Sequence, residues 1–434
     1  MRRGLLLALL CAAFATPAGA HAATTVVYPT GQYPADVQNV QAAVDGGGTV
    51  LLKATNASGA PTAFNFGPPV RGPGFVTLSR NVELVGEHAG SAVTTVGGGY
   101  YPLRAFAAIA TSVRNITFDA PLRGAILFLQ PFGADTEITG NRISHTVGRF
   151  FPSFGTEAEA MVVGGGRVVI DDNVVDDVAA DSGIGITELD SAGPVEILRN
   201  RVSGTSSSSI ECTRNHGPVR IEDNVVRPGP TAEGFNGYGI EINGTGSYLV
   251  QRNDVLIETP GGIGIFAFGA LGFGFGPVTN PVIAENHVVL NPVGTIGGSV
   301  FDDGIDLAGL VSGAYVGQNK IEGEGFSAFG LYDLSFDPAR QPSDLGFNTF
   351  VGNNISHVNA GFADVFLDVS THDTVFKGMS GSVIDLGVNN RVTGVTKGGS
   401  SGSGQQVSAA VHLRNASVRS AAEATALRTT VSNG

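Results

Sequence analysis

The apolar positions of this 434-residue chain recur in a short motif built around Asn. An apolar residue, two others, an Asn, one more residue and a β-branched apolar residue follow in order. The motif reads Ile138, Asn141, Ile143; Ile170, Asn173, Val175; Ile197, Asn200, Val202; and Ile221, Asn224, Val226. It continues as Val250, Asn253, Val255; Ile283, Asn286, Val288; Val316, Asn319, Ile321; and Phe350, Asn353, Ile355. Successive Asn are 24 to 34 residues apart, and Asn115 and Asn390 look like degraded copies at the two ends. A fixed motif at variable spacing predicts stacked coils whose short strands repeat while the connecting loops vary. An inward Asn at each bend can pass its amide hydrogen bonds from coil to coil.

A second apolar element follows each Asn. It reads Gly183 to Thr187, Ser209 to Thr213, Gly239 to Asn243, Gly262 to Ile265, Gly304 to Leu307 and Phe329 to Tyr332. We read these as the next strand of each coil, with Ile, Cys or Leu inward. Helical spacing of Val37, Val40 and Ala43 predicts a helix over Pro34 to Asp45, stopped by Gly46-Gly47-Gly48, which would cap the N-terminal end of the stack. Thr49 to Lys53 is then a strand, and Phe75 to Leu78 with Asn81 to Gly86 reads as the first coil.

The Asn-bearing coils, the run Ala43 to Leu52 and the segment Asn81 to Gly86 together resemble the pectin lyase-like superfamily over roughly Asp36 to Thr396. The resemblance implies an all-β, single-stranded, right-handed parallel β-helix of about 10–12 coils with a short N-terminal capping helix. The expected organisation is a signal peptide over 1–22, the β-helix over 23–396, and a Gly/Ser-rich linker with a C-terminal tail or cap over 397–434. Within the superfamily are lyases, hydrolases, epimerases, esterases and binding proteins, so fold does not choose an activity.

Composition adds constraints. Met1-Arg2-Arg3, the apolar run Leu5 to Phe14 and the small residues Ala18-Gly19-Ala20 form a secretory signal too short to span a bilayer. The expected location is secreted or periplasmic, with no membrane insertion of the mature chain. Cys11 leaves with the signal, and Cys212 is then a lone thiol, read as a buried small hydrophobe. The net charge of −13 disfavours nucleic acid as a partner. It also makes a polyanionic sugar awkward unless a cation intervenes.

Candidate chemistry lies on the second strand. Its outward positions are read as Gly185, Glu211, Glu241, Gly264, Asp306 and Gly330, so three carboxylates share one column. Glu211 and Glu241 sit one rung apart, and Glu241 and Asp306 two rungs, roughly 9.6 Å. Such spacings approach the ranges of paired glycosidase carboxylates. Asp302-Asp303-Gly304-Ile305-Asp306 resembles the Asn-Thr-Asp-Gly-x-Asp segment of polygalacturonase-type hydrolases, with Asp303 at the central Asp. The Asp-Asp, Gly-His-Gly and Arg-x-Lys segments that follow in that family have no counterpart here. No lyase-base motif and no epimerase-type acidic His motif is present either. The commonest meaning of such a column is a solvated face. Two sharper readings are a Ca²⁺ site made by Glu211, Glu241, Asp303 and Asp306, and catalysis by the same carboxylates.

Arg214 and His216, with Tyr332, are the candidate substrate-binding residues, and an extended polysaccharide is the expected partner. Phe266 to Phe275 reads as an apolar loop or insertion, and Asp171, Asp172, Asp176, Asp177 and Asp181 as an acidic loop surface. The function expected is a carbohydrate-active protein that binds and cleaves a polysaccharide by a lyase or hydrolase route. The competing expectation is a non-catalytic structural, adhesive or binding solenoid.

Overall fold

The computed structural model describes residues 24–397 except 69–73, 131–133, 152–154, 179, 181, 230–236, 259, 292–301, 334–341, 380 and 394–395. The predicted signal segment, Asp181 and the Gly/Ser-rich stretch from Gly398 lie outside the described residues.

Three long parallel sheets carry the fold. Sheet A has 14 strands, sheet B 11 and sheet C 14, the last including Arg149–Phe151, which pairs antiparallel beside it. Each coil visits A, B and C in turn. One coil runs Val195–Leu198, Arg201–Ser203 and Ser208–Thr213, and the chain re-enters sheet A at Pro218–Glu222. The 11 strands of sheet B define the complete coils, in agreement with the repeat. Gly48–Leu52, Phe64–Asn65 and Val76–Leu78 already form the first of them, so Val82–Gly86 opens the second rather than the first.

Alternation sets the core. In sheet A, Ile138, Ile170, Ile197 and Ile221 stack in register and are wholly buried. Ile186, Ile210, Ile240, Ile265 and Ile305 do the same in sheet C. Each contributes about 1.5–3 kcal/mol on burial. One continuous apolar core runs from Val27 to Val383. The helix Ala35–Val44 covers its N-terminal end with Val37, Val40 and Val44 buried. Asp36, fully buried, anchors this cap by accepting from Thr30 N at 2.7 Å and Asn65 N at 2.8 Å. Among the described residues no helix is long and apolar enough to cross a membrane.

The Asn residues form the predicted ladder. Asn173 Nδ2 donates to Asn200 Oδ1 at 3.0 Å and to the Ile138 carbonyl at 2.8 Å, and its Oδ1 accepts from Asn141 N at 3.0 Å. The pattern repeats through Asn353. The two end copies are not part of it. Ile116, not Asn115, takes the rung below Asn141, donating its backbone N–H to Asn141 Oδ1 at 3.1 Å. Asn390 belongs to a different bend, where its Oδ1 accepts from Thr374 N at 3.0 Å. A ladder Asn must offer its amide to coils on both sides, and at the ends an apolar residue closes the core instead.

Candidate functional site

The outer face of sheet C holds the predicted carboxylates. The register places Thr77, Arg104, Leu127, Val162, Thr187, Glu211, Glu241, Phe266, Asp306, Gly330, Phe366 and Ile384 in one column. Glu211, Glu241 and Asp306 therefore share it as expected, with Glu241 and Asp306 two rungs apart. Gly185 and Gly264 do not. Thr187 and Phe266 hold those rungs, because the strands carry an extra inward residue ahead of the Ile column. Gly264 fills that inward place, where a Cβ would stand 2.5 Å from Gly304 O and 2.5 Å from Val288 Cγ1. Ile263, read as inward, accordingly packs on the outer face with Tyr238 and Phe266.

Asp303 lies in the neighbouring column, between Ile263 and Ser327. Thr213, Asn243, Phe268, Ala308 and Tyr332 form a third.

This face is not the solvated acidic sheet that composition suggests. Glu241 and Asp306 are 0% exposed, Glu211 and Asp303 5%. The Phe-rich run is not a loop either. Its first half is the strand Ile263–Gly269, and Phe266 stacks on Tyr238 at 5.1 Å and on Phe268 at 5.6 Å. Phe266 thereby separates Glu241 from Asp306 and leaves two carboxylate pairs.

In the first pair, Glu211 accepts from Thr213 Oγ1 at 3.2 Å, and Glu241 accepts from Asn243 Nδ2 at 2.9 Å and from Ser208 Oγ. In the second pair the two acids differ in surroundings. Asp303 Oδ1 accepts from Ser327 N at 2.9 Å and Ser327 Oγ at 2.5 Å, and Oδ2 from Tyr332 OH at 3.0 Å. These bonds favour its charged form, while burial pushes its carboxyl up to about 6. No hydroxyl or amide side chain donates to Asp306; the Gly330 backbone N–H favours its charged form and the Asp303 carboxyl its protonated one. Burial, then the charge of Asp303, holds Asp306 well above the usual carboxylate range. Of the two, Asp306 is pushed further toward its protonated form than Asp303. Gly330 makes room for them, since a Cβ there would lie 2.7 Å from Asp306 Oδ1 and 2.1 Å from the Tyr332 ring. Asp302 stands behind, its Oδ1 accepting from Gly262 N at 2.8 Å, and burial raises it to about 7.

The remaining predicted residues divide. Tyr332 is in the site through Asp303 and packs at 5.3 Å on Phe366. Arg214 and His216 follow the Glu211 strand in the bend toward sheet A. Arg214 is committed to Asp190, with Nε–Oδ1 at 3.0 Å and Nη2–Oδ2 at 2.9 Å. His216 is exposed there, its backbone N–H donating to Ser191 O at 2.9 Å. A Ca²⁺ cage is not formed: among the described residues no three His, Cys, Asp or Glu side chains converge as metal ligands. The described acidic residues Asp171, Asp172, Asp176 and Asp177 belong to two strands and their tight bend, and Asp171 and Asp176 pair with Arg199 and Arg142.

Two features escaped the sequence reading. One is a buried cluster farther down the same face. Arg123 Nη2 lies 2.9 Å from Glu157 and 3.4 Å from Glu159, and Tyr101 OH donates to Glu159 at 2.8 Å. Tyr101 and Arg123 precede the first clean Asn coil, and the sheet C strand Gly155–Gly164 that carries Glu157 and Glu159 lacks the Gly-Ile pattern of the later coils, so no periodicity marks them. The other is an open groove of about 390 Å³ on the outer face of sheet A, lined by Thr49, Glu83, Ser112, Glu137 and Arg167. There Glu83 accepts from Thr49 Oγ1 at 2.7 Å and pairs with Arg114.

Comparison with known proteins bears on architecture. Residues 111–255 match the family described as right handed beta helix region. Among solved structures, the Dettilon tailspike protein aligns over 85% of this chain and 68% of its own, at 14% identity and a TM-score of 0.49. The A-module of the Azotobacter vinelandii mannuronan C-5 epimerase AlgE4 aligns over 83% of this chain and 95% of its own, at 14% identity and a TM-score of 0.36. No curated protein sequence matches the chain. With its three parallel sheets, its Asn ladder and this matching central segment, the chain is a right-handed parallel β-helix, the architecture that the pectin lyase-like resemblance implied.

Proposed function

We propose that this chain is an exported carbohydrate-active β-helix protein that binds an extended polysaccharide along sheet C and hydrolyses it, with Asp306 as the general acid that protonates the leaving oxygen and Asp303 as the general base that takes the proton of the attacking water. The observation that supports the reading is the split pair: two adjacent acids, one holding three hydrogen bonds from Ser327 and Tyr332, the other pushed up by burial and by its neighbour's charge. Environments that push two carboxyls apart set acid and base roles. Glu211 and Glu241, one rung or roughly 4.8 Å apart, form a second pair near the spacing of retaining glycosidases. The N-terminal segment Met1 to Ala22 supports export.

The test is release of reducing ends from a panel of neutral and acidic glycans, with absorbance of unsaturated products followed in parallel. We expect reducing ends without unsaturation. Asp306→Asn and Asp303→Asn should each lower the rate by about 10²-fold or more, the usual contribution of general acid–base groups. Full activity in both variants would sink the proposal.

One observation favours the alternative of a non-catalytic binding solenoid. Glu241 and Asp306 are wholly covered, so a sugar cannot touch them as they stand. Glycan binding without turnover on any member of the panel would establish that reading instead.

A further inference from the structure

The two ends of the solenoid are closed differently. At the N-terminal end the first strand of sheet C, Val76–Leu78, has its free edge taken by the capping helix. Gln41 Nε2 donates to Thr77 O at 3.0 Å, and Thr77 N donates to Gln41 Oε1 at 2.9 Å. At the C-terminal end sheet B stops early. Its last strand is Asn354–Ala360, whereas sheet A continues with Val375–Lys377 and Arg391–Val392 and sheet C with Ser382–Asp385 and Thr396–Lys397. After Val375–Lys377 the chain crosses from sheet A to sheet C in four residues, 378–381, where the coil before uses thirteen, 352–364. Two rungs of sheet B are therefore missing, and among the described residues no strand lies beside the outer edge of Asn354–Ala360.

This edge is fit for pairing. A register shift follows Asn354, and from His357 to Ala360 the strand is regularly paired on its inner side with Glu322 to Gly325. Open edges are templates for another strand unless charge, proline or a cover blunts them, and 354–360 holds no charged residue and no proline. The core is uncovered here as well. Ile257, Leu290, Gly323 and Val358 form one inward column. Ile257 and Leu290 are buried, but Val358 at its end packs against the core while remaining half-exposed.

We propose that residues 407–413 of this chain add to sheet B as a parallel strand on the free edge of 356–360 and so close the C-terminal end of the solenoid. That segment lies outside the described residues, and the argument is its sequence, reach and charge. Val407, Ala409, Val411 and Leu413 alternate with Ser408, Ala410 and His412, the pattern of a strand with one apolar face. The apolar set supplies the cover that Val358 lacks. The nine residues 398–406 between Lys397 and this strand reach up to about 30 Å. A five-residue sheet A side needs roughly 17 Å and the two missing rungs roughly 10 Å. Arg414, Arg419 and Arg428 against Glu423 give 398–434 a net charge of +2, so the remainder of the chain carries −15 (−13 − 2). Charge draws this segment toward the solenoid, whereas a second copy brings like net charge to the same edge. The proposal is independent of the glycan reading.

The experiment follows amide hydrogen exchange of the full chain by mass spectrometry, with light scattering at each protein concentration. We expect 407–413 and the edge-facing amides of 356–360 to exchange at least about tenfold more slowly than unstructured peptide, from a monomer and at every concentration. Val411→Pro and Val411→Asp should each speed exchange at both segments by about tenfold or more, while Val195–Leu198 in sheet A stays protected. His412→Ala, an outward change, should speed neither. Exchange of 407–413 at the unstructured rate in the unaltered chain overturns the proposal by itself, even if a variant fails to fold. Unchanged protection of 356–360 in both Val411 variants also overturns it. So does protection that grows with concentration as dimers form, which gives the edge to a second copy.

Discussion

Inside the solenoid, Cys212 Sγ donates at 2.9 Å to Oε2 of Glu188, its register partner on the preceding coil. Glu188 also accepts from Ser191 Oγ, and the group is wholly buried. Burial pushes the Glu188 carboxyl up to about 7, against the lowering effect of its Cys212 and Ser191 hydrogen bonds. Glu157 and Asp302 are raised by burial to about 7, and Asp303 to about 6.

Each of these acids keeps its proton longer in the folded chain than in the unfolded one. Between the unfolded pKa near 4 and the folded value, the native state binds more protons, so stability falls as pH rises. We expect the Tm to fall as pH rises from about 4 to about 7 and to level off by pH 8. For Glu188 alone the loss is about 3 kcal/mol. Glu188→Gln should flatten the slope and melt above the wild type at pH 8. A Tm that is constant or rises over this range contradicts the assignment.

Asn224 sits mid-ladder, donating to Asn253 Oδ1 and Ile197 O at 2.9 Å each while its Oδ1 accepts from Asn200 N at 2.9 Å. Replacing it with Ala strands donors and acceptors on two coils, each costing about 1–3 kcal/mol when left unpaired. We expect Asn224→Ala to lower the denaturation midpoint by several kcal/mol equivalent. Asn353→Ala, at the end of the ladder, should lower it less. Equal losses would show that the ladder is not cooperative.

Gly264 has no space for a methyl group, with Gly304 O and Val288 Cγ1 each 2.5 Å from a built Cβ. Gly97 meets only Phe64 O, at 3.8 Å. Overpacking costs about 1–3 kcal/mol where backbone must shift. Gly264→Ala should be destabilised by this amount or more in equilibrium unfolding, and Gly97→Ala should be nearly neutral. Equal midpoints for the two would refute the close contact.

The coil repeat, the capping helix and the three-carboxylate column were legible in the chain itself. Each rests on a short-range rule: alternation in strands, helical spacing, one Asn per bend. The same rule misplaced Gly185 and Gly264. An extra inward residue before each Ile shifts the count, and only stacking against Val202 and Val288 reveals it. Glu188 was unmarked because a carboxylate at an inward position breaks the alternation. It survives there only with Cys212 and Ser191 supplied by the next coil and the bend.

Burial decided the rest. Sequence alone determined that Glu211, Glu241 and Asp306 point outward in line, since register follows from the repeat. Tertiary structure decided that this outer face is covered, that Phe266 divides the column, and that Asp303, not Asp306, receives the Ser327 and Tyr332 hydrogen bonds. It also brought Arg104 and Arg149 to one tyrosine ring from strands far apart in the chain. The physical reason is common to all of these. A strand pattern specifies direction, but dielectric surroundings and hydrogen-bond partners come from other coils, and they set which acid is pushed further toward its protonated form.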